Sequence, residues 1–309
     1  MSASKQRPLW QDLPPRLRQQ IEGVVGGHVV AAVNCPGGFS PGFASRLTIA
    51  GGKRAFAKAI DARAWPLHAS AYRDEARNAA ALTEAGLADA LPTPRFLGTC
   101  DDGSHVVLAF ECVDGHEPVS PWQPGQLATV AAAVRRMAAL LTPAPLPVPR
   151  DHPRLGGWAG LGSGHLDRLR AEIAAGDLGQ LIALERRGLI AARGTTLVHF
   201  DALPHNILLT RAGAMLVDWP HARLGAPVID LLTVLASAAA DGIDPEPALH
   251  AQPAAATPGD IDAILAALSG FWLAGAVEES CPAPIAAAKL HLGRGALSWL
   301  LRRLAVARR

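Results

Sequence analysis

The chain changes texture near residue 114, and that break limits its architecture more than any other feature. Before it, β-branched and aromatic runs at 29–33, 43–49, 54–60 and 106–113 alternate with glycine turns, and Val24-Val25 beside Gly26-Gly27 reads as a further short strand. Gly51-Gly52 between two of these runs is a hairpin signal. A short helix is expected at about 12–23. The segment 72–85 breaks the strand pattern, because Glu75, Ala79, Leu82 and Ala85 recur at helical spacing. After the break, alanine- and leucine-rich helical patterns dominate at about 126–142, 164–175, 178–192, 228–240, 260–279 and 284–307. Between them lies a β island at 197–198, 207–209 and 215–217, with turns at 199–206 and 211–214. Strands segregated from helices predict an α+β fold. The expected organisation is a small antiparallel-sheet N-terminal lobe with one key helix over 1–113, a hinge at about 111–115, and a mainly helical C-terminal lobe over 114–309.

Composition narrows the function. Two lobes suit 309 residues, and a chain that is 50% hydrophobic and 18% charged is globular rather than disordered. A formal charge of +2 with no long basic run gives no reason to expect a nucleic-acid partner. No run of about 18 apolar residues is free of charges or helix breakers, so no membrane span is expected. The first residues lack the apolar core of a signal peptide. Four scattered cysteines without a CxxC pair suit reduced thiols and a cytoplasmic setting. Nothing in the sequence speaks to oligomeric state.

The densest polar cluster is His199-Phe200-Asp201-Ala202-Leu203-Pro204-His205-Asn206, directly after the apolar run Thr196-Leu197-Val198. It reads as a satisfied polar turn, as a zinc site using His199, His205 and His221, or as a catalytic centre. Zinc sites call for three or four converging ligands at a recognisable spacing, and this spacing is not one of them. Twelve residues after Asn206, Asp218 follows the apolar run ending at Val217. Asn206 and Asp218 then form an oxygen-donor pair suited to Mg²⁺, which takes one or two protein carboxylates and completes its shell with phosphate and water. Asp201 is left to orient or deprotonate a hydroxyl.

These residues resemble the catalytic loop and metal segment of the aminoglycoside phosphotransferase and related small-molecule kinase family. The pattern is HxDxxxxN, an apolar pair, and an Asp after the next strand. The resemblance implies a two-lobed protein-kinase-like fold, with Asp201 as catalytic base or hydroxyl-positioning residue and Asn206 and Asp218 as Mg²⁺ ligands. His199 becomes a structural brace. Asp230, in Gly225-Ala226-Pro227-Val228-Ile229-Asp230, matches a residue that buttresses the catalytic loop.

Phosphoryl transfer calls for further parts upstream in a fixed order. Lys58, on the run 54–60, supplies a phosphate contact, with Phe56 on the same face by strand alternation. A lone strand lysine is otherwise an exposed edge charge. Glu75 is the helix carboxylate expected to pair with Lys58, and the plainer reading is a helix-surface glutamate. The turn Pro36-Gly37-Gly38-Phe39-Ser40-Pro41-Gly42 is expected to cover the nucleotide, with Gly38 and Gly42 allowing close backbone approach and Ser40 donating to a phosphate. The Glu111 carbonyl and the Val113 N–H are expected to meet the purine at the hinge.

The sequence departs from the family pattern at Phe200, where glycine is usual, and at Leu203 and His205. After Asp218 it has Trp219-Pro220, and no APE-like element follows. That argues against a protein kinase.

The expected function is transfer of the γ-phosphate of ATP (or GTP), with Mg²⁺, to a hydroxyl of a small molecule. The acceptor is an aminoglycoside or other antibiotic, which would make the chain a resistance enzyme. Alternatives are a kinase of a metabolite such as choline, homoserine or an amino sugar, and a catalytically silent nucleotide-binding protein on the same fold. Carboxylates available to a cationic acceptor are Asp151, Glu172, Glu185, Asp260, Asp262, Glu278 and Glu279.

Overall fold

The computed structural model describes residues 7–35, 40–145, 155–175, 177–251 and 256–307. In the first part, helix α1 (Pro15–Val25) precedes strands β1 (Val29–Asn34), β2 (Phe43–Ile49) and β3 (Arg54–Asp61). Helix α2 (Pro66–Glu84) and strands β4 (Phe96–Asp101) and β5 (His105–Glu111) follow. The strands form one antiparallel five-stranded sheet in the order β1-β2-β3-β5-β4.

Side-chain alternation sorts β3 between the two helices. Ala57 and Ala59 join Leu13, Leu17 and Ile21 of the N-terminal segment, together with Phe43, Leu47 and Val107, in one core cluster. Ile60 faces the other way, into a cluster with Ala69, Tyr72 and Ala76 of α2 and with Val106 and Leu108 of β5. Lys58 shares the parity of Ile60 and stands opposite Leu108 in the ladder. The sheet therefore delivers Lys58 to the face that α2 covers.

The later part contains α3 (Pro124–Leu140), two short helices α4 (Ser163–Arg168) and α5 (Arg170–Ala175), and α6 (Leu178–Ala191). Four short strands follow: β6 (Thr196–Val198), β7 (Ile207–Thr210), β8 (Gly213–Leu216) and β9 (Arg223–Gly225). Helices α7 (Ile229–Ala240), α8 (Glu246–His250), α9 (Pro258–Ala276) and α10 (Ala283–Ala307) complete the described chain. Helix α9 packs on α6 and α10, and α7 packs on α3 and α10. Helix α9 is long and apolar enough to cross a membrane by length and composition, and most of it is buried inside the protein.

By compactness the chain divides into two units. Met1–Glu117 belongs with His205–Ala222, and Pro118–Ala144 belongs with Arg223–Arg309 and the segment ending at Pro204. The division is not a single cut near residue 113. The hairpin β7–β8 goes with the first unit, where Leu209 and His116 exchange backbone hydrogen bonds and the Leu216 N–H donates to the Pro92 carbonyl.

Three local expectations are corrected. Val24-Val25 ends α1 rather than forming a strand, and Gly26 terminates that helix in the left-handed conformation at φ 77°. Strand β4 was not expected: Gly98 interrupts its short run, and none of its residues is fully buried. Strand β9 was likewise not expected, and β6 pairs with it.

A glycine sets one helix crossing. A Cβ on Gly188 of α6 would overlap the carbonyl of Ala263 on α9. Gly188→Ala is expected to lower the unfolding free energy by about 1–3 kcal/mol through overpacking, read by urea denaturation. No loss would show that α6 and α9 can separate freely.

Candidate active site

Lys58 is the most constrained charge in the first unit. Its ammonium forms an ion pair with Glu75 of α2, and it donates to Asp218 Oδ1 at 2.7 Å. Lys58 is 8% and Glu75 2% exposed, so both lie out of water. The Tyr72 ring lies 4.9 Å from the same ammonium. Burial works against the charged lysine, but the charges of Asp218 and Glu75 outweigh it and hold the ammonium protonated, above its ordinary range. Glu75 responds in the opposite sense. Burial pushes its carboxyl up to about 8, and the attraction of Lys58 only partly offsets this. One ammonium thus faces two carboxyl groups, and Glu75 is the more buried of them.

The residues of the glycine-rich turn fall unevenly. Gly38 lies outside the described residues. The Ser40 hydroxyl is hydrogen-bonded to the Tyr72 hydroxyl (2.9 Å). Gly42 passes so close to β3 that a Cβ there would overlap the Ala59 carbonyl, which accounts for glycine at that position. At the end of β5, Glu111 donates its N–H to the Arg95 carbonyl (2.8 Å), and its carboxylate accepts from Arg95 Nε (3.1 Å). Val113 lies just beyond the end of β5, outside regular secondary structure.

The hairpin β7–β8 brings the expected metal-ligand pair close in the ladder. Ile207 pairs with Leu216, and one step outward the Val217 N–H donates to the Asn206 carbonyl (2.9 Å). Asp218 follows at φ 68°, a left-handed conformation rare for aspartate. The side chain of Asn206 is buried, and that of Asp218 is half exposed.

Asp201 belongs to the second unit, in the loop after β6. His199, fully buried, accepts the Asp201 N–H on Nδ1 (3.3 Å). The N–H groups of His199 and Phe200 donate to the two oxygens of Asp230 at 2.8 Å each. Burial raises the Asp230 carboxyl above its ordinary value, opposed by His199 and the two backbone donors. Asp230 thus holds the loop open at Phe200, whose φ is 67°. The Phe200 ring lies 6.2 Å from that of Phe271 on α9. Among the described residues, no group of three or more His, Cys, Asp or Glu side chains is arranged to hold a metal ion, so the zinc reading finds no support.

Four of the carboxylates considered for a cationic acceptor have internal partners. Glu185 accepts the N–H groups of Gly157, Trp158 and Ala159. Glu172 binds Arg294, Asp262 binds Arg303, and Asp260 sits in the Thr257 cap of α9. Asp151 lies outside the described residues, and Glu278 and Glu279 are exposed just past α9.

Sequence reasoning missed two residues of α2. Tyr72 and Asn78 lie three positions on either side of Glu75, and Asn78 donates from Nδ2 to the Trp219 carbonyl (2.8 Å). The three-residue spacing of polar groups on one helix was the available signal.

A five-stranded antiparallel sheet with a buried lysine–glutamate pair, followed by a helical part, defines the protein-kinase-like class of fold. Comparison with known proteins gives the family: residues 42–266 match the model of the phosphotransferase enzyme family, and the chain belongs to it. It is a small-molecule kinase. Similar solved structures include an aminoglycoside phosphotransferase from Alicyclobacillus acidocaldarius, with 16% identity, TM-score 0.59 and 99% of each chain covered. The choline kinase of Streptococcus pneumoniae is similar at 13% identity and TM-score 0.57, covering 92% of this chain and 98% of that one. A thermostable mutant of aminoglycoside phosphotransferase APH(4)-Ia, in ternary complex with AMP-PNP and hygromycin B, gives 14% identity and TM-score 0.60, covering 94% of this chain and 99% of that one. A search of curated proteins finds no match.

The raised Glu75 carboxyl has a thermodynamic signature. Between its ordinary value of 4.5 and about 8, the folded chain holds a proton that the unfolded chain has released. The stabilising effect of that proton is full below the lower value and is lost as pH rises toward the upper one. Glu75→Gln, which cannot ionise, is expected to flatten the fall of Tm with pH across this window. An unchanged slope would mean that Glu75 is ionised throughout.

Proposed function

We propose that the chain transfers the γ-phosphoryl group of ATP, or of GTP, to a hydroxyl group of a small molecule. The observation that carries this reading is the buried Lys58, gripped by Glu75 and Asp218. A phosphate chain offers that ammonium the negative charge that Asp218 now provides. Ser40, Gly42 and the undescribed Gly38 would cover the phosphates, and main-chain groups of Glu111 and Val113 would meet the base.

Asn206 and Asp218 supply an amide oxygen and a carboxylate at the open end of one hairpin. This all-oxygen donor set fits Mg²⁺, which would neutralise phosphate charge when bound. Asp201 would accept the proton of the acceptor hydroxyl as its oxygen bonds to the γ-phosphorus. The bond from that phosphorus to the β–γ bridging oxygen breaks, and the nucleoside diphosphate leaves. The brace from Asp230 through His199 and Phe200 fixes the loop in which Asp201 acts.

An aminoglycoside is the leading acceptor. Two solved relatives are aminoglycoside phosphotransferases, one of them bound to hygromycin B, and another is a choline kinase. Glu278 and Glu279 are the remaining candidate carboxylates for its amino groups, and the Phe200–Phe271 pair offers an apolar face. Four free cysteines suit a cytoplasmic setting.

The test is a nucleotide-consumption screen against aminoglycosides, other antibiotics, choline-like alcohols, amino acids and sugars. On the acceptor found, Asp201→Asn should lower turnover by about 10²–10⁴-fold with nucleotide affinity unchanged. Equal turnover would remove Asp201 from the chemistry.

A further inference from the structure

Asn78 has no assigned task, and it is an expensive residue where it stands. It lies in the middle of α2 with no exposure to solvent. Its Oδ1 has no hydrogen-bond partner among the described residues. An amide buried and half satisfied costs stability that an apolar side chain of the same size would not. Its presence is therefore explained by what Nδ2 does, which is to donate to the Trp219 carbonyl at 2.8 Å, across 141 residues of sequence.

That carbonyl lies immediately downstream of the strained residue of the site. Asp218 holds φ 68°, in the left-handed region that favours glycine, so its flanks must hold it there. Upstream, the Val217 N–H is held by the Asn206 carbonyl, and Leu216 by the Pro92 carbonyl. Downstream, Trp219 is buried and its carbonyl is held by Asn78. Asp218 therefore stands between two backbone anchors, the second supplied by the helix that also carries Glu75 and Tyr72.

We infer that Asn78 is a positioning residue: by gripping the Trp219 carbonyl it holds Asp218 in the left-handed turn that presents its carboxylate to the metal–nucleotide complex. This rests on the reading of Asp218 as a Mg²⁺ ligand. On one face of α2, Tyr72 reaches Ser40 of the glycine-rich turn, Glu75 reaches Lys58, and Asn78 reaches the Asp218 segment. A shift of that helix moves all three together.

Calorimetric titration of the full chain with the non-hydrolysable analogue AMP-PNP, with and without Mg²⁺, gives a readout independent of turnover. In the wild type, Mg²⁺ should tighten binding; if it does not, the reading of Asp218 itself is overturned. With that gain present, Asn78→Leu should reduce it by about tenfold, the scale of one lost hydrogen bond to a strained segment, and leave metal-free binding within about twofold. Asn78→Ser, whose hydroxyl satisfies itself on the preceding turn of α2 and cannot reach Trp219, should show the same loss if the leucine variant does not fold. Thr99→Val removes a side-chain bond to the Val107 carbonyl in the sheet, away from α2 and Asp218, so it should leave the Mg²⁺ gain unchanged. An intact Mg²⁺ gain in both Asn78 variants, or an equal loss in Thr99→Val, would overturn the positioning role.

Discussion

An ammonium out of water must be answered by charge, and the first unit is arranged around meeting that requirement for Lys58. Strand β3 delivers the lysine to the face covered by α2, and Tyr72, Glu75 and Asp218 close around it. Two carboxyl groups for one ammonium is more than neutrality needs. Burial raises the carboxyl of Glu75, the more buried of the two. In the proposed function, a phosphate chain takes the place of Asp218 at this ammonium. In this way a folding constraint and a binding site are the same set of atoms.

Helix α2 is the element on which the rest is measured. Its apolar side, with Ala69 and Ala76, packs against the sheet, and its polar residues at three-residue spacing touch the turn, the lysine and the segment after β8. In the second unit, Asp230 does comparable work for the loop of Asp201, using one buried carboxylate to take two backbone N–H groups. Each device spends a buried polar side chain to fix a loop, and each loop contains a residue at positive φ, Asp218 in one case and Phe200 in the other.

Much of this was legible in the sequence, for physical reasons. Phosphoryl transfer calls for a strand lysine, a helix carboxylate and a carboxylate after a later strand, in that order, so Lys58, Glu75 and Asp218 could be named in advance, and they are found together. Helix α10 was read almost to its ends, because a long amphipathic period has many residues voting for it. Asn78 was harder to read: its three-residue spacing from Glu75 marks the helix face, but its partner is remote in sequence. Tyr72, the chain's single tyrosine, was not singled out, and the structure places it in the core beside Lys58. Val24-Val25 misled because β-branched residues near glycine resemble a strand, although they continue the apolar face of Leu17 and Ile21. The pairing of β6 with β9 was hidden by the shortness of Arg223–Gly225.

The central claim is that Glu75 acts through Lys58 and not as an independent part of α2. A double-mutant cycle on unfolding free energy, using Lys58→Met, Glu75→Gln and the double variant, tests it without knowledge of the acceptor. A coupling energy of about 1 kcal/mol or more between the two substitutions is the predicted result. Additive losses would contradict the account.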